Sequence, residues 1–413
     1  MLSATEAETI ILNLTQPLDP QRDREVVPLR AALSRILAAP VTGQLDIPHW
    51  HNSAMDGYAV RYADVQDCHP DQPVTLEIIE AIPAGAVPTL PVQAGQAARI
   101  LTGSMLPTGA DTIVMQEETR HQGDRVTILS APKPQAFVRH RGAFYQAGAP
   151  LLPAGILLSA ADMAILATVQ CLEVPVYRRV RVAILSTGDE LVSPEQPLQP
   201  GQIVDSNQYA LAALVAQAGA EPLPLGIVRD DPEATREAIT QALSMADVVL
   251  SSGGVSVGDY DYIDRILAEL GAEIAIRAVA VKPGKPLTVA TFPPPQFPTL
   301  YFGLPGNPVS AFVTFWRFVQ PALRKLSGLS DHWLPTWSQG RTLQDLRSDG
   351  KRETYLWGRA TWSQGELTFD LASGSASSGN LINLSQTNAL AVLPIGQTYC
   401  PAGTPVSILG LGC

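Results

Sequence analysis

Between residues 180 and 326, short apolar runs alternate with amphipathic stretches, and each of three runs ends in small or polar residues. Val182-Ala183-Ile184-Leu185 leads into Ser186-Thr187-Gly188-Asp189-Glu190, and the run at 223–228 leads into Arg229-Asp230-Asp231. Val248-Val249-Leu250 leads into Ser251-Ser252-Gly253-Gly254-Val255-Ser256-Val257-Gly258-Asp259-Tyr260-Asp261. Apolar runs of this length without polar alternation fit strands buried on both faces. Strands separated by helices must pair largely in parallel, with right-handed crossovers. The chain is therefore built around a largely parallel α/β sheet. Ligands of such sheets sit beyond the carboxyl ends of the strands, so the three polar strand ends predict a common rim.

Helix signals support this reading. Ser206 is expected to cap a helix that runs through Ala218 and stops at Gly219; Asp231 caps another with Pro232 at its first position. Residues 307–326 read as a helix kinked near Pro321. At the N-terminus, Ser3 with Glu6 forms a capping-box pattern, and a second helix is expected from Pro28 to Leu37. From 41 to 141, short β-branched runs alternate with Gly and Pro turns and predict a compact β domain; a helical pattern returns at 159–169. Short strands after Gly328 predict a small C-terminal β domain.

With 413 residues the chain is too long for one core. A net charge of −11 argues against a nucleic-acid partner, and an anionic ligand must be captured by particular cations and N–H groups. Cys68, Cys171, Cys400 and Cys413 are scattered, without zinc spacing or a disulfide framework. His49 and His51 form an H-x-H pair without a third ligand at a telling spacing, which favours a structural role. No run is long enough to span a bilayer, and the first fourteen residues lack a basic leader with an apolar core, so a cytoplasmic protein without a membrane partner is expected.

Candidate chemistry follows from the strand ends. Small residues at 251–258 let backbone N–H groups approach a phosphate. Asp189 and Asp231 have local capping duties to perform, whereas Glu190, Asp230 and Asp261 do not and suit Mg²⁺ shared with substrate phosphates. Lys282-Pro283-Gly284-Lys285-Pro286 places two ammonium groups on a stiff turn, either an anion site or a solvated loop. Leu304-Pro305-Gly306-Asn307-Pro308-Val309-Ser310 reads as a rigid helix entry whose N–H groups face an anion. The polar stretches around Asp56 and Thr102 are compatible with turn chemistry or with a ligand. A generic kinase-like nucleotide site is disfavoured, because the sequence contains no G-x-x-x-x-G-K-[ST] loop.

Taken in order, Ser53-Ala54-Met55-Asp56-Gly57-Tyr58-Ala59, Thr102-Gly103 with Pro107 and Gly109-Ala110-Asp111, Ser186 to Leu191, Ser251 to Gly258, Lys282 to Pro286 and Leu304 to Ser310 resemble the molybdopterin molybdenumtransferases, the MoeA and gephyrin E-domain family. The resemblance implies a multidomain α/β protein. An N-terminal helical segment (1–26) precedes an extended linker domain (27–45 and 142–179) that holds an inserted β domain (46–141). A central α/β domain (180–328) and a C-terminal β-barrel-like domain (329–413) complete it. It implies a homodimer, supplied by a molybdopterin adenylyltransferase, that inserts molybdate into adenylylated molybdopterin with Mg²⁺ and releases AMP.

By the same resemblance, Thr187, Gly188, Asp189, Ser252, Gly253, Gly254, Val255, Ser256, Gly258, Pro305, Gly306, Asn307 and Pro308 would hold the adenylate. Glu190, Asp230 and Asp261 would position the metal. Molybdate would fall to Lys282, Lys285, Ser310, Arg352 and Ser378, while Asp56 and Thr102 would reach the site from the partner subunit. The chain departs from the family pattern at His51, where aspartate is usual, and at Ala143-Phe144, where an acidic pair is usual. The basic residue expected before the lysine turn has only Arg277 as its counterpart. These departures leave a second expectation, a non-catalytic relative that binds molybdopterin as a scaffold.

Overall fold

The computed structural model describes residues 1–253, 260–292, 299–363, 365–374 and 377–411, with the backbone alone at 260–262. Gly254, Val255, Ser256, Gly258, Asp259, the Asp261 side chain, the proline run at 293–298 and Cys413 lie outside the described residues. Two compact units emerge. One comprises Met1–Ala39, Ala154–Ser159 and Val174–Cys413, the other Pro40–Pro153 and Ala160–Glu173.

The first unit contains the six-stranded sheet expected from the alternation. Its order is Glu221–Val228, Arg181–Thr187, Val248–Ser252, Thr299–Leu304, Pro286–Phe292 and Glu273–Ala278. The first four strands are parallel; Pro286–Phe292 runs against them and Glu273–Ala278, antiparallel to it, runs again in their direction, so the sheet is mixed at one edge. Residues on alternate sides enter two different cores. Val182, Ile184, Val248, Leu250, Leu300 and Phe302 pack on one face with Leu211, Leu214 and Val215 of helix Asn207–Gln217. Ala183, Leu185, Val249 and Tyr301 pack on the other with Ile239 and Ala242 of helix Pro232–Met245 and Ile266 and Leu267 of helix Tyr260–Glu269. Burial on both faces is why these strands read as unbroken apolar runs; each fully buried Leu or Ile contributes about 1.5–3 kcal/mol.

Most predicted helix ends are observed. The Ser3 hydroxyl accepts from the Glu6 N–H at 3.2 Å and the Glu6 carboxylate accepts from the Ser3 N–H at 2.8 Å, completing the capping box of helix Ala4–Leu14. Asp231 accepts from Ala234 N–H at 2.8 Å. Ser206, in contrast, makes no side-chain cap; Asp205 takes that role by accepting from Gln208 N–H at 3.1 Å. The helix expected from Pro28 to Leu37 is not formed. Arg24–Pro28 is instead a strand paired with Glu173–Tyr177, followed by a single 3₁₀ turn at Leu29–Ala31. Ser34 has a φ of +59°, which no helix accommodates, and Leu37 N–H donates to Ile156 O at 3.0 Å.

Residues 307–326 form helix Pro308–Thr314, a π turn at Phe315–Val319, and helix Gln320–Leu326. Pro321 has no N–H to donate and crowds the preceding turn, so the irregularity appears just upstream of it. Buried Arg317, within the π turn, ion-pairs with Glu8 and donates to the Tyr355 hydroxyl at 3.0 Å.

The C-terminal strands close a barrel. Thr336–Thr342 pairs with Pro405–Gly410, then Ala389–Leu393, Glu353–Ser363 and Glu366–Leu371, which returns to Thr336–Thr342. Leu356, Phe369, Ala391, Leu393 and Ile408 fill it. Outside the barrel's ring, Val281–Lys282 pairs in parallel with Glu353–Thr354, which fastens the lysine turn to the barrel.

The second unit carries a curled six-stranded sheet, ordered Thr112–Met115, Gly57–Val60, Gln96–Ile100, Val74–Ile82, Arg125–Ile128 and Thr119–Gln122. Tyr58, Val60, Ala97 and Val114 face one core, and Ala59, Ala98, Ile100 and Ile113 face another.

Candidate active site

The carboxyl ends of the parallel strands open into a cleft of about 740 Å³. Thr187, Gly188, Glu190, Asp230, Ser252, Gly253, Pro305, Gly306, Asn307 and Pro308 all line it, together with Ser310. The polar rim predicted from three separate strand ends is therefore one surface. Asp189 is not among the lining residues; its carboxylate accepts from Asp230 N–H at 3.2 Å and shapes the neighbouring turn. Gly253 has a φ of +97°, and a Cβ there would lie 2.2 Å from the Thr187 carbonyl oxygen. Only glycine permits these two strand ends to approach so closely.

Sequence reasoning missed Asn207, which organises the cleft floor. Its side-chain amide nitrogen donates to Ser252 Oγ at 2.6 Å and to Gly306 O at 2.8 Å, joining two lining loops. Among the described residues its buried Oδ1 has no hydrogen-bond partner, and neither has Thr187 Oγ1. Unsatisfied buried polar atoms are costly, about 1–3 kcal/mol each, and two in residues lining one cleft fit a polar ligand that supplies the missing bonds. The only signal in the sequence was the position of Asn207 at the first turn of a helix following a strand.

A second cleft of about 380 Å³ adjoins the first. It is lined by Lys282, Lys285, Arg352, Ser310 and Ser378, with Arg347, Thr354 and Tyr355. Pro286 and Ser310 line both clefts, so the two are continuous at that point. All five residues that the resemblance named for molybdate are thus gathered, and Arg347 adds a fourth cation that it did not name. Arg347 lies over the Tyr399 ring at 4.9 Å, and the Tyr399 hydroxyl donates to Asp345 at 2.8 Å. Burial above all pushes the Tyr355 phenol well above its ordinary range, so it lines the cleft as a neutral group. Lys282 and Arg352 both reach the Asp349 carboxylate, at 3.0 and 3.7 Å. The Lys282 hydrogen bond, followed by one from Lys351 N–H, holds that carboxyl down at about 2.

Two expectations are corrected here. At the helix entry after Pro308 one N–H is already engaged: Val309 N–H donates to Ser378 O at 3.1 Å and so does not face an anion. Arg277 is bound to Asp264 at 2.7 Å and does not line either cleft.

Asp56 and Thr102 lie in the second unit and bond to each other. The Thr102 N–H and hydroxyl both donate to Asp56 Oδ1 at 2.7 Å, and these two bonds, the hydroxyl first, hold the Asp56 carboxyl below its ordinary value. Gly57 follows because a Cβ would lie 2.0 Å from Val114 O across the sheet. The departures at His51 and Ala143-Phe144 lie in the same unit. His51 Nδ1 accepts from Arg141 N–H at 3.2 Å and stands 3.3 Å from His140 Nδ1, while Phe144 is 71% exposed.

Magnesium fits the first cleft. Glu190 and Asp230 are hard oxygen donors on one wall, and no group of three His, Cys, Asp or Glu side chains among the described residues makes a complete metal cage. One or two carboxylates without a cage are the donor set of an ion that shares its coordination with substrate phosphates.

Comparison with known proteins agrees along the whole chain. The descriptions "MoeA N-terminal region (domain I and II)", "Probable molybdopterin binding domain" and "MoeA C-terminal region (domain IV)" match residues 2–169, 183–325 and 339–411. A molybdopterin molybdenumtransferase of a Nostoc species is 60% identical over 411 residues, covering 100% of this chain and 94% of the relative. The Haemophilus influenzae enzyme of the same name is 38% identical, covering 74% of this chain and 73% of its own length. The crystal structure of the molybdopterin biosynthesis MoeA protein from Pyrococcus horikoshii superposes with a TM-score of 0.84 at 28% identity, covering 99% of this chain and 100% of that one. With sequence regions and fold both matching, the chain belongs to the molybdopterin molybdenumtransferase family.

Proposed function

We propose that this protein is the transferase of molybdenum cofactor biosynthesis that inserts molybdate into adenylylated molybdopterin and releases AMP. The observation that carries the reading is the pair of adjoining clefts meeting at Ser310 and Pro286. One offers hydrogen bonds and carboxylates for a nucleotide-like substrate; the other gathers Lys282, Lys285, Arg347 and Arg352 with the hydroxyls of Ser310 and Ser378 for a tetrahedral dianion. Such a junction brings the two reactants together, and juxtaposition is itself a large part of a rate enhancement.

Thr187, Gly188, Ser252, Gly253, Asn307 and the prolines flanking Gly306-Asn307 hold the adenylate, with Asp189 fixing the loop beside it. Gly254, Val255, Ser256 and Gly258, outside the described residues, are assigned to the same ligand by the family resemblance alone. Glu190, Asp230 and Asp261 hold Mg²⁺, which when bound neutralises charge on the phosphoanhydride. Lys282 and Lys285 hold molybdate and offset the charge that builds up as AMP leaves. In a homodimer, Asp56 and Thr102 complete the partner's site. A molybdopterin adenylyltransferase supplies the substrate, and the reaction runs in the cytoplasm.

The test is AMP release from adenylylated molybdopterin by the purified protein, with and without Mg²⁺ and molybdate. Release that depends on both supports the transferase. Tight binding without release points to the scaffold reading, which the loss of the acidic pair at Ala143-Phe144 favours, and restoring Glu and Asp at 143 and 144 is then the first variant to make.

A further inference from the structure

The four cations of the smaller cleft are not equivalent. Among the described residues, Lys285 and Arg347 have no carboxylate within ion-pair distance, whereas Lys282 and Arg352 share one, that of Asp349. Asp349 lies in the 348–352 loop between strands Leu346–Arg347 and Glu353–Ser363. Although exposed, it is held in a built loop. Ser348 N–H donates to Thr398 O at 3.0 Å, Ser348 Oγ donates to Gln397 O at 2.7 Å, and Gly350 N–H donates to Ser348 Oγ at 2.9 Å. Asp349 Oδ1 accepts from Lys351 N–H at 2.9 Å, which leaves Oδ2 turned towards Lys282 Nζ at 3.0 Å. Its backbone is thus anchored to the barrel and its free oxygen is aimed at the cleft's cations.

An oxyanion entering this cleft must compete for Lys282 and Arg352 with a carboxylate that needs no capture, because it is part of the chain. We propose that Asp349 is a positioning residue, the resident counter-ion of the oxyanion cleft: it holds Lys282 and Arg352 in place before the anion arrives and weakens the anion's hold after it binds. This inference rests on the reading of that cleft as an oxyanion site. It has a chemical use, since molybdate must leave the cations to reach the pterin, and four uncompensated cations would retain it. The repulsion from Asp349 acts on every charge of the bound anion, so it weighs more on a dianion than on a monoanion of the same shape.

Calorimetric titrations of the full chain and of Asp349→Asn with molybdate and with perchlorate, at fixed ionic strength, test this directly. The expected result is an affinity gain in the variant of about twofold to fivefold for molybdate, the range of an exposed ion pair, and a smaller gain for perchlorate. Asp349→Glu, which keeps the charge, should stay within about twofold of the parent. In the unaltered protein, adding molybdate at neutral pH should move the carboxyl carbon resonance of Asp349 as Lys282 is handed over; that readout does not depend on any variant folding. Unchanged or weaker molybdate binding by a folded Asp349→Asn, or a carboxyl signal indifferent to molybdate, overturns the counter-ion role alone. If the unaltered protein binds neither anion, the oxyanion reading of the cleft falls with it.

Discussion

Asn207 and Ser252 are joined by a 2.6 Å hydrogen bond from the asparagine amide to the serine hydroxyl, and the same nitrogen reaches the Gly306 carbonyl. One side chain therefore fixes the loops after two parallel strands while its own buried oxygen has no partner among the described residues. Asn207→Leu should weaken adenylate binding about tenfold or more, the scale of a lost buried polar contact, and leave molybdate affinity within about twofold. Equal losses for both ligands would show that the substitution had disturbed the whole rim.

Glu190 and Asp230 make a separable prediction. Glu190→Gln and Asp230→Asn should each raise the Mg²⁺ concentration needed for half-maximal AMP release by about tenfold, and excess Mg²⁺ should partly restore the rate. A loss that no Mg²⁺ concentration relieves would instead place these carboxylates on the substrate.

Lys285→Ala should cost about tenfold in molybdate affinity, the value of a charge-assisted hydrogen bond, with little change for the adenylate. Titration of the two ligands on one sample checks it, and parallel losses would count against separate clefts.

A structural prediction concerns the start of the central sheet. Arg178 donates to both oxygens of buried Asp247, at 2.7 and 2.9 Å, and its Nε donates to Asp23 at 3.0 Å. Asp247 also accepts from Arg181 N–H at 2.8 Å, tying the network to strand Arg181–Thr187. Removing one partner of such a set leaves a charge uncompensated, so Asp247→Ala should destabilise the first unit by about 3 kcal/mol. Denaturant melts followed by circular dichroism would measure it.

Asp56 provides the pH prediction. Its carboxyl is held below its ordinary value by the two Thr102 bonds, so this pair contributes stability above the unfolded pKa of about 3.9 and loses it as pH falls through the lower folded value. Thr102→Val should move the Asp56 midpoint upward towards about 3.9, as read by carboxyl NMR. A midpoint that stays put would mean that the Thr102 hydroxyl does not hold this carboxylate.

Much of this was legible because the relevant signals are local. Asp231 before Pro232, or Ser3 before Glu6, specifies a helix start whatever surrounds it, and both caps are present. The 28–37 segment misled because its pattern suits a helix while its backbone is committed to partners at 156–158 and 175–177, far along the chain. Site residues divided in the same way. Glu190, Asp230 and the two lysines stand out in sequence as charges without local work. Asn207, Arg347 and Asp349 do not, because what distinguishes each is a neighbour tens of residues away: Gly306, Tyr399 and Lys282.

The short parallel pairing of Val281–Lys282 with Glu353–Thr354 means that the oxyanion cleft has two owners. Lys282, Lys285 and Ser310 come from the α/β body, while Arg347, Asp349 and Arg352 come from the segment that enters the barrel. The larger cleft draws on the α/β body alone. On the proposed function, substitutions in the barrel would retune which tetrahedral metal oxyanion is accepted, and how readily it is given up, without altering a residue of the proposed nucleotide cleft; inheritance of the two specificities would be uncoupled within a single chain.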